Sequence, residues 1–162
     1  MTRILFVCLG NICRSPLAEG LFIDKLKIAG LEHKYKVDSA GTSAFHEGSL
    51  ADPRTRENAE RNGIKLLSRS RPFRKQDFVD FDLILTMDQS NFRNVKVLEP
   101  GFVEEIAEVK MMRDFDIQSR GADVPDPYYG GEKGFQNVFD ILDRSTDELL
   151  KFLEGSSSNQ SE

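Results

Sequence analysis

The feature that most constrains this chain is a short apolar run near the N-terminus that ends in a cysteine. Residues 4–7 are Ile-Leu-Phe-Val, a run typical of a strand buried on both faces of a parallel sheet, and Cys8 follows. A short loop then reaches Ser15 and Pro16, which predict a helix start because serine caps helices and proline suits the first helical position. The loop therefore joins a strand tip to a helix N-terminus, where backbone N–H groups and the helix dipole favour an anion.

The composition fits one globular domain. The chain has 162 residues, of which 39% are hydrophobic and 30% charged, so it can bury a core of its own. A net charge of −5 argues against general nucleic-acid binding, and no apolar run is long enough to cross a bilayer. The two cysteines exclude a disulfide scaffold and favour the reducing cytoplasm. We expect a domain over residues 1–154 and a disordered polar tail over residues 155–162, with neither nucleic acid nor membrane as a partner.

Strand-like and helix-like segments alternate along the chain, which predicts an α/β fold. In the first helix, Leu17, Leu21 and Ile28 are expected on one buried face. The predicted strands cover residues 3–7, 35–39, 82–87 and 108–111. The predicted helices cover residues 16–29, 53–62, a short segment capped by Ser90, residues 102–107, and a last helix over 135–153 that Gly155 ends.

The first loop carries the residue types that phosphoryl transfer requires. The site must neutralise the phosphate oxygens and present a nucleophile in line. Cys8 can supply a thiolate, which a helix N-terminus and a nearby arginine favour, and the Arg14 guanidinium can bind two phosphate oxygens. Gly10 and Asn11 tolerate the positive φ that turns loop amides inward, and the Ser15 hydroxyl could donate to the sulfur.

Cys8 alone does not establish catalysis, because a buried cysteine is commonly an inert small hydrophobe. Its combination with the strand, Gly10, Arg14, Ser15 and Pro16 is much more specific. A phosphate-binding module without catalysis remains an alternative. A nucleotide-binding P-loop is disfavoured because the lysine that should follow the glycines is absent.

Residues 8–16, Cys-Leu-Gly-Asn-Ile-Cys-Arg-Ser-Pro, resemble the phosphate loop of the low-molecular-weight protein tyrosine phosphatases. The segments 37–42 (Val-Asp-Ser-Ala-Gly-Thr), 86–91 (Thr-Met-Asp-Gln-Ser-Asn) and 126–130 (Asp-Pro-Tyr-Tyr-Gly) match family landmarks in the same order. The resemblance extends to about Leu153. It implies a single-domain, Rossmann-like α/β fold: a four-stranded parallel sheet with helices on both faces and the site at the carboxyl ends of the strands.

The resemblance implies hydrolysis of phosphotyrosine monoesters through a phosphocysteine intermediate. Cys8 would attack phosphorus, Arg14 would stabilise the transition state, and Asp126 would protonate the departing tyrosyl oxygen. An acid is needed because tyrosine, with a pKa of about 10, is a poor leaving group as the anion. By itself the Asp126-Pro127 pair is equally typical of a turn. No metal or cofactor is implied, since Arg14 and the loop amides supply positive charge.

The resemblance also indicates how the substrate pocket is formed. Tyr128 and Tyr129 would line one wall, and Phe45 would either line the opposite wall or anchor its loop to the core. Relatives that act on phosphoarginine tend to carry threonine where Ile12 stands, so Ile12 favours phosphotyrosine. The expected phosphate-binding residues are Leu9, Gly10, Asn11, Ile12, Cys13, Arg14 and Ser15.

Two polar residues are expected to support the loop. Ser39 would hydrogen-bond Asn11, as the matching serine does in relatives, with a surface or capping serine as the alternative. Asp88 would either support the site or cap a helix. His33 and His46 are expected to be solvated loop residues.

Cys13 lies in the same loop as Cys8, and we hypothesise that it captures oxidised Cys8 as a reversible disulfide. The alternative is that Cys13 only packs under the loop.

The nearest competing function is arsenate reduction on a similar fold. The thioredoxin-coupled type needs further cysteines that this chain lacks, whereas the glutathione-coupled type is an alternative function.

Expected partners are phosphotyrosine-containing proteins, including a tyrosine kinase, and the chain is expected to be monomeric or weakly self-associating.

Overall fold

The computed structural model describes residues 1–101, 105–129 and 131–160. Four strands form one sheet in the order β2-β1-β3-β4, and every neighbouring pair is parallel. This arrangement confirms the predicted α/β fold. The strands are Thr2–Cys8 (β1), Tyr35–Gly41 (β2), Leu83–Thr86 (β3) and Glu108–Met111 (β4). The α-helices are Arg14–Ala29 (α1), Pro53–Arg61 (α2), Asp77–Asp80 (α3), Gln89–Lys96 (α4) and Gly131–Gln160 (α5).

Helices cover both faces of the sheet. Along β1, Ile4 and Phe6 pack in one core cluster with residues of α1 and α5, whereas Leu5 and Val7 pack on the other face with residues of α3 and α4. All four side chains are fully buried, so the apolar run is a central strand as predicted. Within the described residues, no helix combines the length and apolar character that a membrane span requires.

The first helix differs from the prediction in its start and its buried face. It begins at Arg14, with Cys13 at the capping position and no side-chain cap. Ser15 therefore lies inside the helix and does not cap it. Ile28 is 81% exposed although it shares a helix face with Leu17 and Leu21, because the last residues of α1, 27–29, are all exposed and extend beyond the core.

Three later predictions are also corrected. Asp88, and not Ser90, caps α4, since its carboxylate accepts from Asn91 N at 2.8 Å. Residues 102–104 lie outside the described residues, and residues 105–107 are not helical; Ala107 N instead donates to Phe78 O of α3 at 2.8 Å. The last helix continues through Gly155 to Gln160, because glycine costs a helix interior only about 1 kcal/mol. Residues 155–160, which we expected to be disordered, therefore belong to the helix, and residues 161–162 lie outside the described part.

Candidate active site

Cys8 is the last residue of β1, and its sulfur lies under the loop that follows. Its Sγ is 3.0 Å from Ser15 Oγ and accepts from Asn11 N at 3.3 Å. The side chain is almost completely buried. Donors at these two positions stabilise negative charge on the sulfur.

The carbonyls of the loop point away from the sulfur, because residues around the loop bind them. A peptide unit directs its N–H opposite to its C=O, so loop amides are left to face the concavity on the inner side. A loop can bind an anion through its backbone only if its carbonyls point outward in this way. Four hydrogen bonds hold them there: Thr42 N donates to Cys8 O at 2.9 Å, Ser43 N to Leu9 O at 2.9 Å, Ser70 Oγ to Gly10 O at 3.0 Å and Asp52 N to Ile12 O at 2.8 Å.

Asn11 holds the loop in its turned conformation. Its φ is 56°, in the left-handed region that asparagine adopts more readily than most residues. Its side-chain amide donates to Ser15 Oγ at 2.7 Å and to Ser39 Oγ at 2.9 Å, which is the contact expected of Ser39. Its Oδ1 accepts from Arg71 N at 3.1 Å. The Asn11 side chain is thus fixed from both ends, which stabilises the turned backbone at this residue.

Glu19 extends this network behind the loop, a role that sequence reasoning missed. Ser39 Oγ donates to Glu19 Oε1 at 2.5 Å, and burial raises the pKa of this carboxyl above its ordinary value. A glutamate within a helix is usually solvated, so nothing in the local pattern distinguishes it.

Gly41, at the end of β2, permits the loop to approach the sheet. A Cβ at this position would lie 2.8 Å from Leu9 O and 3.1 Å from Asn11 N, both backbone atoms that cannot move independently. Sequence reasoning placed Gly41 in a family landmark without a role. The role follows from the register, in which Cys8 pairs with Gly41.

Arg14 is a buried cation on the wall of the site. Its Nη1 donates to Asp88 Oδ2 at 2.7 Å and to Val124 O at 2.9 Å, and its Nη2 lies 3.7 Å from Asp126 Oδ2. Burial opposes its charge, but nearby Cys8, Asp88 and Asp126 outweigh that effect and raise the pKa of Arg14. The guanidinium therefore stays charged and held in one orientation.

Asp88 performs both of the tasks that the sequence left as alternatives. One carboxylate oxygen caps α4 through Asn91 N, and the other binds Arg14. The helix cap therefore also orients the arginine.

A cleft of about 300 Å³ opens above the sulfur. Phe45 lines it and is 85% exposed, so the alternative in which Phe45 anchors its loop to the core is wrong. His46 also lines the cleft, half-buried and edge-on to the Phe45 ring at 4.9 Å, so the prediction of a solvated loop residue is wrong for His46. His33 is exposed as predicted. Tyr128 lines the cleft, whereas the Tyr129 side chain lies outside what the structure describes.

Asp126 lines the same cleft as Cys8 and Arg14. Its side chain is 48% exposed, and its Oδ1 accepts from Tyr128 N at 3.1 Å. This local turn fixes one carboxylate oxygen while the group remains open to the cleft. A carboxyl so placed can exchange a proton with a ligand seated on the loop.

Cys13 is distinguished from Cys8 by its surroundings. Burial raises the pKa of the Cys13 thiol to about 12, and the nearby charges of Asp52 and Cys8 act in the same direction. Cys13 is therefore protonated at neutral pH, and a protonated thiol is a poor nucleophile.

Comparisons with known proteins give one consistent family. The model of the low molecular weight phosphotyrosine protein phosphatase family matches residues 3–159. A low molecular weight protein-tyrosine-phosphatase of Streptomyces coelicolor is 40% identical over 150 residues, covering 91% of each chain. The crystal structure of a protein tyrosine phosphatase from Entamoeba histolytica superposes with a TM-score of 0.90 at 41% identity, covering 97% of this chain and 99% of the other. A Drosophila arginine phosphatase shares the fold at 27% identity, with a TM-score of 0.87 and coverage of 94% and 98%. The chain therefore belongs to the low molecular weight protein-tyrosine-phosphatase family.

Proposed function

We propose that this phosphatase hydrolyses phosphotyrosine monoesters through a phosphocysteine intermediate on Cys8. The observation that carries the proposal is the convergence of three groups on one cleft: the Cys8 sulfur, the buried Arg14 cation and the Asp126 carboxyl. In the first step the Cys8 thiolate attacks phosphorus and the P–O bond to the tyrosyl group breaks. Arg14 and the loop amides bind the equatorial oxygens, and Asp126 donates its proton to the departing oxygen.

The second step regenerates the enzyme. Asp126, now a carboxylate, takes a proton from water as the water attacks the phosphorus, and the P–S bond breaks. The Ser15 hydroxyl, 3.0 Å from the sulfur, stabilises the thiolate that leaves. Inorganic phosphate then dissociates from the loop.

The walls of the cleft support an aromatic phosphate ester as the substrate. Phe45 and Tyr128 present apolar rings at the mouth of a cleft whose nucleophile is buried at the base. A phosphotyrosine places its ring between such walls while its phosphate reaches the loop. Ile12, also on the wall, presents an apolar side chain and supports phosphotyrosine over the more polar phosphoarginine.

The direct test is the hydrolysis of matched peptides that carry phosphotyrosine, phosphoserine or phosphoarginine, without added metal. We expect kcat/KM for phosphotyrosine to exceed the others by about 100-fold, because its ring can pack between the Phe45 and Tyr128 rings, whereas phosphoserine is too short to span the cleft and phosphoarginine would place a polar guanidinium against these walls. Similar values for phosphotyrosine and phosphoarginine would contradict the assignment. Glutathione-dependent consumption of arsenate at a higher kcat/KM would instead establish an arsenate reductase.

We also propose that Cys13 protects Cys8 from irreversible oxidation. Peroxide converts the Cys8 thiolate to a sulfenic acid. The Cys13 thiol then loses its proton as its sulfur attacks the sulfenic sulfur, and this proton and the sulfenic hydroxyl leave as water when the disulfide forms. Both cysteines are free and buried in the structure, within one short loop. After peroxide and then dithiothreitol, the parent should regain most of its activity, whereas Cys13→Ser should lose more than half of it permanently, measured as p-nitrophenyl phosphate hydrolysis. Equal recovery of the two proteins would show that Cys13 only packs under the loop.

The proposed partners are phosphotyrosine-containing proteins, including a tyrosine kinase, met by a monomeric or weakly self-associating enzyme in the cytoplasm. The low cysteine count, two in the whole chain, supports a reducing compartment.

A further inference from the structure

Arg54, in the first turn of α2, joins two parts of the site that are far apart in sequence. It follows Asp52-Pro53, the pair that starts α2, and its backbone N–H donates to Asp52 Oδ1 at 2.8 Å. Its side chain reaches Tyr128 in the loop that carries Asp126, with Nη1 donating to Tyr128 O at 2.9 Å. No role for this residue follows from the reaction steps above.

One end of the connection is anchored to the phosphate loop. Asp52 N donates to Ile12 O at 2.8 Å, and the Asp52 carboxylate binds the Arg54 guanidinium at two nitrogens, at 3.2 and 3.1 Å. Burial disfavours the charged carboxylate, but the Arg54 hydrogen bonds outweigh this and lower the pKa of Asp52. The pair is therefore ionised at neutral pH, and its fork geometry fixes the plane of the guanidinium.

The other end holds the acid loop. The guanidinium carbon lies 5.1 Å from the centre of the Tyr128 ring and 4.9 Å from that of Phe135, in the first turns of α5. Tyr128 N in turn donates to Asp126 Oδ1. A displacement of Tyr128 therefore displaces a carboxylate oxygen of Asp126. Ring stacking and a hydrogen bond to the carbonyl restrain Tyr128 on two sides.

We infer that Arg54 is a positioning residue, which sets the distance between Asp126 and the phosphate loop by joining Asp52 to Tyr128. The inference rests on the proposed role of Asp126 as general acid. Arg54 itself does not touch the phosphate. Its removal should therefore impair protonation of the leaving group while the attack by Cys8 continues, since loss of alignment at a reacting group lowers its contribution to rate.

The test compares two substrates that differ in their need for an acid. Phenyl phosphate has a basic leaving group that requires protonation, whereas 2,4-dinitrophenyl phosphate does not. We expect Arg54→Gln to lower kcat/KM about tenfold for phenyl phosphate and less than about twofold for 2,4-dinitrophenyl phosphate. An equal loss for both substrates, or no loss for either, would overturn the inference.

Two further variants separate positioning from charge and from general stability. Arg54→Lys keeps the positive charge but lacks the planar fork, so it should resemble Arg54→Gln; full activity in Arg54→Lys would overturn the inference. Arg61→Gln is the matched control, because Arg61 lies on the same helix and, among the described residues, forms its ion pair with Glu132 of α5 at 2.7 Å. It should leave kcat/KM for both substrates unchanged. Melting temperatures of all variants establish that each is folded.

The background of Asp126→Asn distinguishes a failure of this inference from a failure of the proposed mechanism. If Arg54 acts through Asp126, then Arg54→Gln should reduce phenyl phosphate hydrolysis less than about twofold further in that background. A further loss of about tenfold would show that Arg54 acts independently and overturn the inference. If Asp126→Asn itself fails to discriminate between the two substrates, the proposed acid is wrong, and the inference about Arg54 falls with it.

Discussion

Replacement of Cys8 by serine should lower kcat/KM for p-nitrophenyl phosphate by about 10⁴-fold or more, because a serine hydroxyl is not ionised at neutral pH and Cys13, the other thiol of the loop, is held protonated. The two donors at the sulfur, Asn11 N and Ser15 Oγ, stabilise a thiolate but cannot remove a proton from serine. Steady-state kinetics at neutral pH measures this loss. Isothermal titration with inorganic phosphate should show retained binding, since Arg14 and the loop backbone are unchanged.

Cys13→Ser is the matched control for this prediction. Cys13 occupies the same loop and is also buried, but its thiol is held protonated, so its replacement should cost less than about tenfold in kcat/KM. Comparable losses for the two serine variants would mean that the loop requires both sulfurs structurally and that Cys8 is not the distinct nucleophile.

Replacement of Asp126 by asparagine should produce a loss that depends on the leaving group. We expect kcat/KM to fall by about 10²- to 10³-fold for phenyl phosphate and by less than about tenfold for 2,4-dinitrophenyl phosphate, because only the first leaving group needs the proton. Asparagine keeps the size of the side chain and an oxygen that can accept from Tyr128 N, so the loop turn is preserved. The measurement is a plot of log kcat/KM against leaving-group pKa, which should be steeper for the variant.

Asp114→Asn offers a control carboxylate outside the cleft. Asp114 Oδ2 accepts from Met111 N at 3.0 Å at the end of β4, and its loss should leave the leaving-group dependence unchanged. A parallel plot for Asp126→Asn and the parent would show that Asp126 does not protonate the leaving group and only shapes its loop.

The phosphate loop could be predicted from the sequence because its chemistry is contiguous. The buried strand, Cys8, Gly10 and Arg14 follow each other within one short segment, and each residue type has a direct physical meaning there. The apolar runs of β1 and β3 likewise indicate central strands without tertiary information. Asp126 was different, since an Asp-Pro pair is equally typical of a turn and only the family resemblance selected it.

The residues that sequence reasoning missed depend on the fold. β2 lies beside β1, so the segment after β2 passes over the phosphate loop and brings His46 into the cleft. His46 directly follows Phe45, which was already expected at the wall of the pocket. Its position in the sequence therefore could have predicted that His46 lies near the cleft. Arg54 and Glu19 act through contacts with Tyr128 and Ser39 that no local pattern reveals.

Helix boundaries were corrected where a side chain had another task. Ser15 has the residue type of a cap, but its hydroxyl is used at the Cys8 sulfur and by Asn11. Asp88 caps α4 in place of Ser90 because the same carboxylate is also held by Arg14.

The central claim is that the phosphoryl group passes through the Cys8 sulfur. In the direct test, the parent enzyme is quenched rapidly during turnover of p-nitrophenyl phosphate in denaturant at mildly alkaline pH, where an S-phosphate is stable, and its peptides are analysed by mass spectrometry. The account predicts one added phosphoryl group on the peptide that contains Cys8, formed within a single turnover and lost on further incubation. An unmodified Cys8 during steady turnover, or a phosphoryl group on another residue, would contradict it.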